Sequence, residues 1–232
     1  MKNKIIKSDK RYLSNLGWLK SYHIFSFADY YDSSNMAFWN IRVFNDDYIS
    51  WNSWFWLHPH SNMEILTIVL DGEITHWDNM WNKASVSKWQ IQTMSAGTGI
   101  FHSEENLSEK QVHLYQIWFL PSHTWNIPSY KDLDVNIENN KLNLLVSNIA
   151  NNNIWFLDSD VKVLYWKFDK DKYFNYIIEK WRGLFLYVYK WELIVDWLNL
   201  WEWDQIRYCI QWDYEFFVNS DFCEFVLINT NM

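Results

Sequence analysis

Two short patterns in this sequence hold side chains able to bind and use a metal. They are His58-Pro59-His60, within Trp54-Phe55-Trp56-Leu57-His58-Pro59-His60-Ser61-Asn62-Met63-Glu64-Ile65, and His102-Ser103-Glu104, which follows Met94-Ser95-Ala96-Gly97-Thr98-Gly99-Ile100-Phe101. In an extended strand, residues two apart project from the same side. His58 and His60 therefore share one face, and His102 and Glu104 share another. Brought together, the two pairs make a site of three imidazoles and one carboxylate. That donor set suits a borderline divalent ion such as Fe(II), Ni, Mn, Cu or Zn, with open positions for substrate or oxygen. A lone HxH is weak evidence. HxH with HxE 42 residues after His60, each on a strand and each followed by turn chemistry, is much stronger. Glu64 is an even number of residues from His60 and can share its face, so spacing leaves it open as an alternative ligand.

The other histidines carry less. His23 sits in an aromatic strand and is expected to be structural. His113 alternates onto the face opposite Trp118 and is expected to be a supporting or surface group. His76, after a turn, is expected to be exposed, and His123 lies in a connecting segment. All seven histidines fall within the first 123 residues, so the C-terminal half cannot build a histidine-based site.

Strands must position these groups. Aromatic and β-branched runs divided by Asp, Ser, Asn and Gly occur at Trp18–Asp32, Phe38–Phe44, Ile65–Ile74, Ser85–Met94 and Val112–Leu120. Asp71-Gly72 reads as a two-residue hairpin and Asp78–Asn82 as a second turn. The polar stretch Pro121–Asn140 looks like a connection. Beyond it, further strands are expected at Leu142–Val146, Val161–Phe168, Leu184–Val195, Gln205–Ile210 and Glu215–Ile228, while Lys170–Lys180 has no convincing helical period. Short strands at this spacing predict an all-β chain of barrels or sandwiches. The expected division is a metal-binding unit over residues 1–130 and a degenerate partner without metal ligands over residues 131–232.

The formal net charge is −8, with no sustained Lys/Arg block, which argues against a nucleic-acid partner. The basic start, Met1–Arg11, reads as a short solvated terminus. No apolar run approaches the roughly 18 residues of a membrane span, and the N-terminus lacks the apolar core of a secretory signal, so a soluble, cytoplasmic protein is expected. Cys209 and Cys223 have no CxxC spacing and are expected to be ordinary thiols.

Several motifs together resemble the pirin family of bicupins. They are His58-Pro-His60-x-Asn62-Met63-Glu64-Ile65, Asp71-Gly72-Glu73, Met94-Ser95-Ala96-Gly97-Thr98-Gly99-Ile100-x-His102-Ser103-Glu104 and Gln116-Ile117-Trp118. Gly17-Trp18-Leu19 and Phe25–Asp32 fit the same pattern, so the likeness runs from about Gly17 to Tyr130 and more weakly beyond. It implies two cupin jelly-roll barrels in tandem, with one mononuclear metal, usually iron, in the N-terminal barrel. Carried over position by position, the pirin ligands fall on His58, His60, His102 and Glu104, whereas the broader cupin pattern places its carboxylate at Glu64. Compact bacterial relatives include proteins with quercetin 2,3-dioxygenase activity, an oxidoreductase reaction in which dioxygen adds across a flavonol heterocycle with ring cleavage and loss of carbon monoxide. Glu104 would then serve as general base for the substrate hydroxyl. A second reading makes the metal structural or redox-sensing and the acidic surface a dock for a protein partner.

One departure stands out. Eighteen tryptophans against five glycines inverts normal usage, in which glycine alone supplies about 7% of residues. Where the pirin pattern has glycine, this chain has Trp54-Phe55-Trp56, Trp81-Asn82 and Trp89, and in the second half Trp191, Trp197, Trp201 and Trp203 stand in turn-like sequence. Glycine serves such sites through positive φ, which strains a bulky residue. At regular strand geometry, Trp54 and Trp56 would also project toward the site. Apart from Trp18 and Trp118, which match family tryptophans, these residues are expected to stand for glycine: codons UGA read as glycine in some bacteria are printed as tryptophan by another table. Trp39, Trp77, Trp155 and Trp166 are the least secure members of the set.

Overall fold

A computed structural model describes residues 4–149 and 154–232; residues 1–3 of the basic start and residues 150–153 lie outside it. The apolar runs become twelve strands in the first part of the chain: β1 (Lys4–Ile6), β2 (Tyr12–Asn15), β3 (Leu19–His23), β4 (Ile41–Ile49), β5 (Ser53–His60), β6 (Glu64–Asp71), β7 (Glu73–Asp78), β8 (Lys83–Ser87), β9 (Gln90–Ser95), β10 (Ile100–Asn106), β11 (Val112–Phe119) and β12 (Ser129–Asp134). Ten follow: β13 (Lys141–Ser147), β14 (Trp155–Phe156), β15 (Val161–Asp169), β16 (Tyr173–Ile178), β17 (Arg182–Lys190), β18 (Leu193–Val195), β19 (Leu198–Leu200), β20 (Gln205–Tyr208), β21 (Trp212–Phe217) and β22 (Phe222–Asn231). One 3₁₀ turn, Ser8–Lys10, completes the described elements, so the expectation of an all-β chain holds. None of the described helices is long and apolar enough to cross a membrane.

Each half pairs a seven-stranded sheet with a four-stranded one. The N-terminal sheets run β12-β9-β6-β11-β4-β3-β2 and β5-β10-β7-β8; the C-terminal ones run β1-β20-β17-β22-β15-β13-β14 and β16-β21-β18-β19. The two large sheets pack back to back. Phe44, Tyr115 and Ile117 from one side meet Phe185, Tyr187, Val226 and Ile228 from the other in a single buried cluster, with Phe44 and Phe185 ring centroids 5.2 Å apart. Each such side chain contributes on the order of 2 kcal/mol by leaving water. This burial on both faces explains why Ile65–Leu70 is unbroken rather than alternating. Leu66, Ile68 and Leu70 face the seam, while Ile65 and Val69 face the interior of the N-terminal barrel.

Polar groups lock the seam. Asp46 accepts from Arg11 Nη1 (3.1 Å) and from the Tyr187 hydroxyl (2.8 Å), and pairs with His113 Nε2 (2.6 Å). His113 is buried there against the Tyr48 ring rather than lying at the surface. The chain start straps the halves together, because β1 pairs with β20 before β2 joins the N-terminal sheet.

Two turns depart from expectation. Asp71-Gly72 is a corner rather than a hairpin: β6 pairs with β9 and β11, whereas β7 pairs with β8 and β10. Gly72 holds φ at 80°, and a Cβ there would lie 3.0 Å from Gln111 O and Val112 Cγ2, so the crossing itself requires glycine. The expected strand Ser85–Met94 is split into β8 and β9 at Trp89, whose φ is 69°.

Trp89 is one of eight tryptophans with φ between 54° and 69°; the others are Trp39, Trp81, Trp125, Trp181, Trp191, Trp197 and Trp203. Most of the remaining non-glycine residues with positive φ are Asn or Asp, which tolerate this region. Trp81 and Trp197 are 95% and 90% exposed, so their indoles gain almost nothing from packing. At about 1 kcal/mol or more of strain each, eight such residues cost an amount on the scale of a domain's whole net stability, about 5–15 kcal/mol. The glycine expectation therefore has a backbone basis at these eight positions. Trp54, Trp56, Trp77, Trp155, Trp166 and Trp201 lack positive φ, and Trp166 is a fully buried core residue.

Candidate metal centre

Strand β10 carries half of the site and lies between β5 and β7 in the small N-terminal sheet. His102 stands opposite His58 on one side and Asp78 on the other; Glu104 stands opposite Phe55 and His76. Cross-strand partners share a face, so period-two alternation alone delivers these side chains to the barrel interior. Between His102 and Glu104 the pairing with β5 shifts by one residue. This bulge reverses the alternation upstream of His58. Phe55 turns inward, edge-on to Trp18 at 5.1 Å. Trp56 turns outward, 74% exposed, with its ring 5.4 Å from Trp54. The expected projection of Trp54 and Trp56 toward the site does not occur, because the bulge absorbs it.

His58, His60 and His102 converge, with one ring nitrogen of each within 4.8 Å of the others. Their protonation follows from their partners. His58 Nδ1 lies 2.7 Å from the Trp56 carbonyl oxygen; a carbonyl only accepts, so Nδ1 is the donor and Nε2 is the nitrogen left to face a ligand. His60 Nε2 and His102 Nε2 are buried with no protein partner. Burial, reinforced by the neighbouring imidazoles, pushes both rings down to about 3, so both are neutral at physiological pH. Three clustered imidazoles, two of them neutral with orphaned buried Nε2 atoms, fit a divalent cation.

Glu104 is buried beside them, held by two amides. Gln92 Nε2 donates to Oε1 at 3.2 Å and Gln116 Nε2 to Oε2 at 2.7 Å. Gln92, Thr67, Gln116 and Asn45 form one polar row across β9, β6, β11 and β4, facing the site. Among the described residues, Glu104 does not join the His58, His60 and His102 cluster; it groups with His76 and His102, so His102 is the residue the two clusters share.

His76 corrects an expectation. It is fully buried rather than exposed, its Nδ1 is 3.5 Å from His102 Nδ1, its Nε2 pairs with Asp78 Oδ2 at 3.1 Å, and its ring stacks on Tyr130. His76-x-Asp78 has the same spacing as the two recognised motifs, a signal that pointed to this face. Gln92 had no such signal. His23 is buried against Phe27, and His123 is exposed at the seam and pairs with Asp158.

Glu64 lies elsewhere. It accepts from Ser95 Oγ (2.6 Å) and from the Asp158 N–H (3.3 Å), lining a 370 Å³ cavity at the seam that His123 and Lys131 also border. Among the described residues it joins neither cluster around His102. Burial raises its carboxyl from 4.5 to about 7, against the opposing pull of the Ser95 bond. The native protein therefore holds a proton that the unfolded chain releases between those values, so this group's contribution to stability falls as pH rises from 4.5 to about 7. The expected loss is on the order of 3 kcal/mol, and Glu64→Gln is expected to flatten that part of the urea-midpoint profile against pH. An unchanged slope in the variant would refute the assignment.

Comparison with known proteins agrees with this architecture. The family model described as Pirin matches residues 6–119. A quercetin 2,3-dioxygenase of Escherichia coli (strain K12) is 39% identical over 191 residues, 82% of each chain, and a pirin-like protein of Caulobacter vibrioides is 50% identical over 114 residues, 49% of each. The crystal structure of the bacterial pirin YhhW from Escherichia coli in complex with nickel(II) superposes with a TM-score of 0.94 at 34% identity, covering 99% of both chains. With its tandem cupin barrels, its candidate divalent-metal site and this extent of likeness, the chain belongs to the pirin family.

Proposed function

We infer that the N-terminal barrel is the centre of a metal-dependent dioxygenase of the quercetin 2,3-dioxygenase type, acting on a flavonol or a similar enolisable substrate. The observation that carries this is the cluster of His58, His60 and His102, joined through His102 to the buried, amide-held Glu104 carboxylate. His58, His60, His102 and Glu104 are the ligands in this reading and Fe(II) the favoured ion, with nickel supported by the relative whose structure holds it. The chemistry belongs to residues 1–130, and residues 131–232 form a barrel without histidine.

A metal held by these residues would supply Lewis acidity toward an enolate oxygen. Everything else falls to the chain. Each Glu104 oxygen accepts one amide N–H and retains a further lone pair, which leaves one oxygen for the metal and one for the substrate hydroxyl proton. Glu104 is thus the general base. Ile65, Met94, Ala96 and Ile100 form the apolar wall that excludes water beside the histidines.

Dioxygen uptake by iron-loaded protein supplied with quercetin is expected, with at least a 100-fold slower rate in His58→Ala. Full metal occupancy with no uptake across flavonols and related enediols would replace this reading with a metal-sensing module that docks a protein.

A further inference from the structure

Trp118 touches one histidine of the proposed ligand set directly and reaches its carboxylate through one amide. Its ring packs edge-to-face on His60, with centroids 4.7 Å apart at 80°. Its indole Nε1 donates to Gln116 Oε1 at 3.1 Å, and Gln116 Nε2 in turn donates to Glu104 Oε2 at 2.7 Å. The direction of this chain is set from both ends: an indole N–H only donates and a carboxylate oxygen accepts. It binds the amide through oxygen, and so turns the amide nitrogen toward the carboxylate.

The opposite arm is constrained only at the carboxylate end. Tyr130 lies 3.3 Å from Gln92 Oε1, and Gln92 Nε2 reaches Glu104 Oε1. A phenol both donates and accepts, so Tyr130 is compatible with either sense of its amide. Phe27 buttresses Trp118 edge-on at 5.2 Å, and His23 buttresses Phe27 at the same spacing. The indole is thus held from behind by aromatic packing while its N–H points along the sheet.

We propose that Trp118 is a positioning residue of the metal centre: through the Gln116 amide it fixes the Glu104 carboxylate beside His102, while its ring holds His60. This rests on the ligand set proposed above. Removing the N–H leaves the Gln116 amide oxygen without its donor and releases that end of the amide, so the carboxylate it donates to is held less firmly. Supporting groups of this kind typically change metal affinity 10- to 100-fold.

The test is nickel(II) affinity of the full chain by chelator competition, in the parent, Trp118→Phe, Gln116→Met and the double variant, with thermal unfolding of the metal-free proteins to confirm folding. Trp118→Phe keeps a ring against His60 and is expected to weaken nickel binding about 10-fold; Gln116→Met, nearly isosteric, is expected to weaken it at least as much. Because the indole acts through the amide, the double variant is expected to bind no more weakly than Gln116→Met alone. Losses that simply multiply, or parent-like affinity in either single variant, overturn the proposal. Should Trp118→Phe fail to fold, Gln116→Met decides by itself, since parent-like affinity there removes the route. A parent that takes up no nickel overturns the metal-centre reading instead, a distinct outcome.

Discussion

Glycine placed together at Trp81, Trp89, Trp125, Trp181, Trp191 and Trp197 is expected to raise the unfolding free energy by roughly 4 kcal/mol, read as a higher denaturant midpoint with little change in slope. All six hold φ between 64° and 69° and all are exposed. A residue with a Cβ loses about 1–2 kcal/mol in this region, and glycine gives back about 0.5–1 kcal/mol through the freedom it gains when unfolded. The balance at each site is a few tenths to about 1 kcal/mol in favour of glycine. The control is glycine at Trp51, Trp56, Trp201 and Trp212, exposed positions without positive φ. There glycine relieves no strain and weakens strands β5 and β21, so stability is expected to fall. Equal effects in the two sets would mean that aromatic removal, and not backbone strain, is responsible. The same reasoning reaches the gene: peptides from the source cells spanning positions 81 and 191 are expected to carry glycine, and UGG codons at those positions would exclude the UGA reading there.

Loss of His102 is expected to abolish stoichiometric nickel or iron binding, with affinity at least 100-fold weaker, equivalent to about 3 kcal/mol. This histidine has the largest expected effect because it belongs to both clusters and stands directly opposite His58. The metal-free His102→Ala protein is expected to stay close to the parent in stability. Removing a buried ring leaves a cavity, but it also removes an orphaned polar nitrogen worth about 1–3 kcal/mol of unpaid desolvation. The contrast appears on adding metal: at 100 times its dissociation constant a ligand stabilises the native state by about 2.7 kcal/mol. Thermal unfolding of the parent should rise accordingly while that of His102→Ala stays fixed. An equal rise in both proteins would place the binding outside this cluster.

Much of the site was legible because strand periodicity is short and strict. His58-x-His60 and His102-x-Glu104 each had to present one face, and Gln116-x-Trp118 follows the same rule. The same alternation correctly sent His113 away from Trp118, though its burial against Asp46 depended on a second barrel. The glycine-like positions were legible through composition and turn context, and backbone dihedrals then separated eight of them from Trp54 and Trp56.

The rest depended on contacts between segments far apart in the chain. Whether Asp71-Gly72 closes a hairpin or turns a corner is decided by which strands β6 and β7 pair with, and those partners lie elsewhere in the sequence. Burial of His76 required Tyr130 to stack over it from β12. The bulge opposite Ser103 reversed the faces of Trp54 and Trp56, and a one-residue slip leaves no trace in an otherwise regular pattern. By itself the sequence determined the all-β class and the two strands that carry the proposed ligands, β5 and β10, since these depend on local period and side-chain chemistry. Only the tertiary structure decided which groups surround them: Gln92 and Gln116 on Glu104, His76 beside His102, and Glu64 at the seam, because register and sheet packing are set by long-range contacts that local periodicity does not encode.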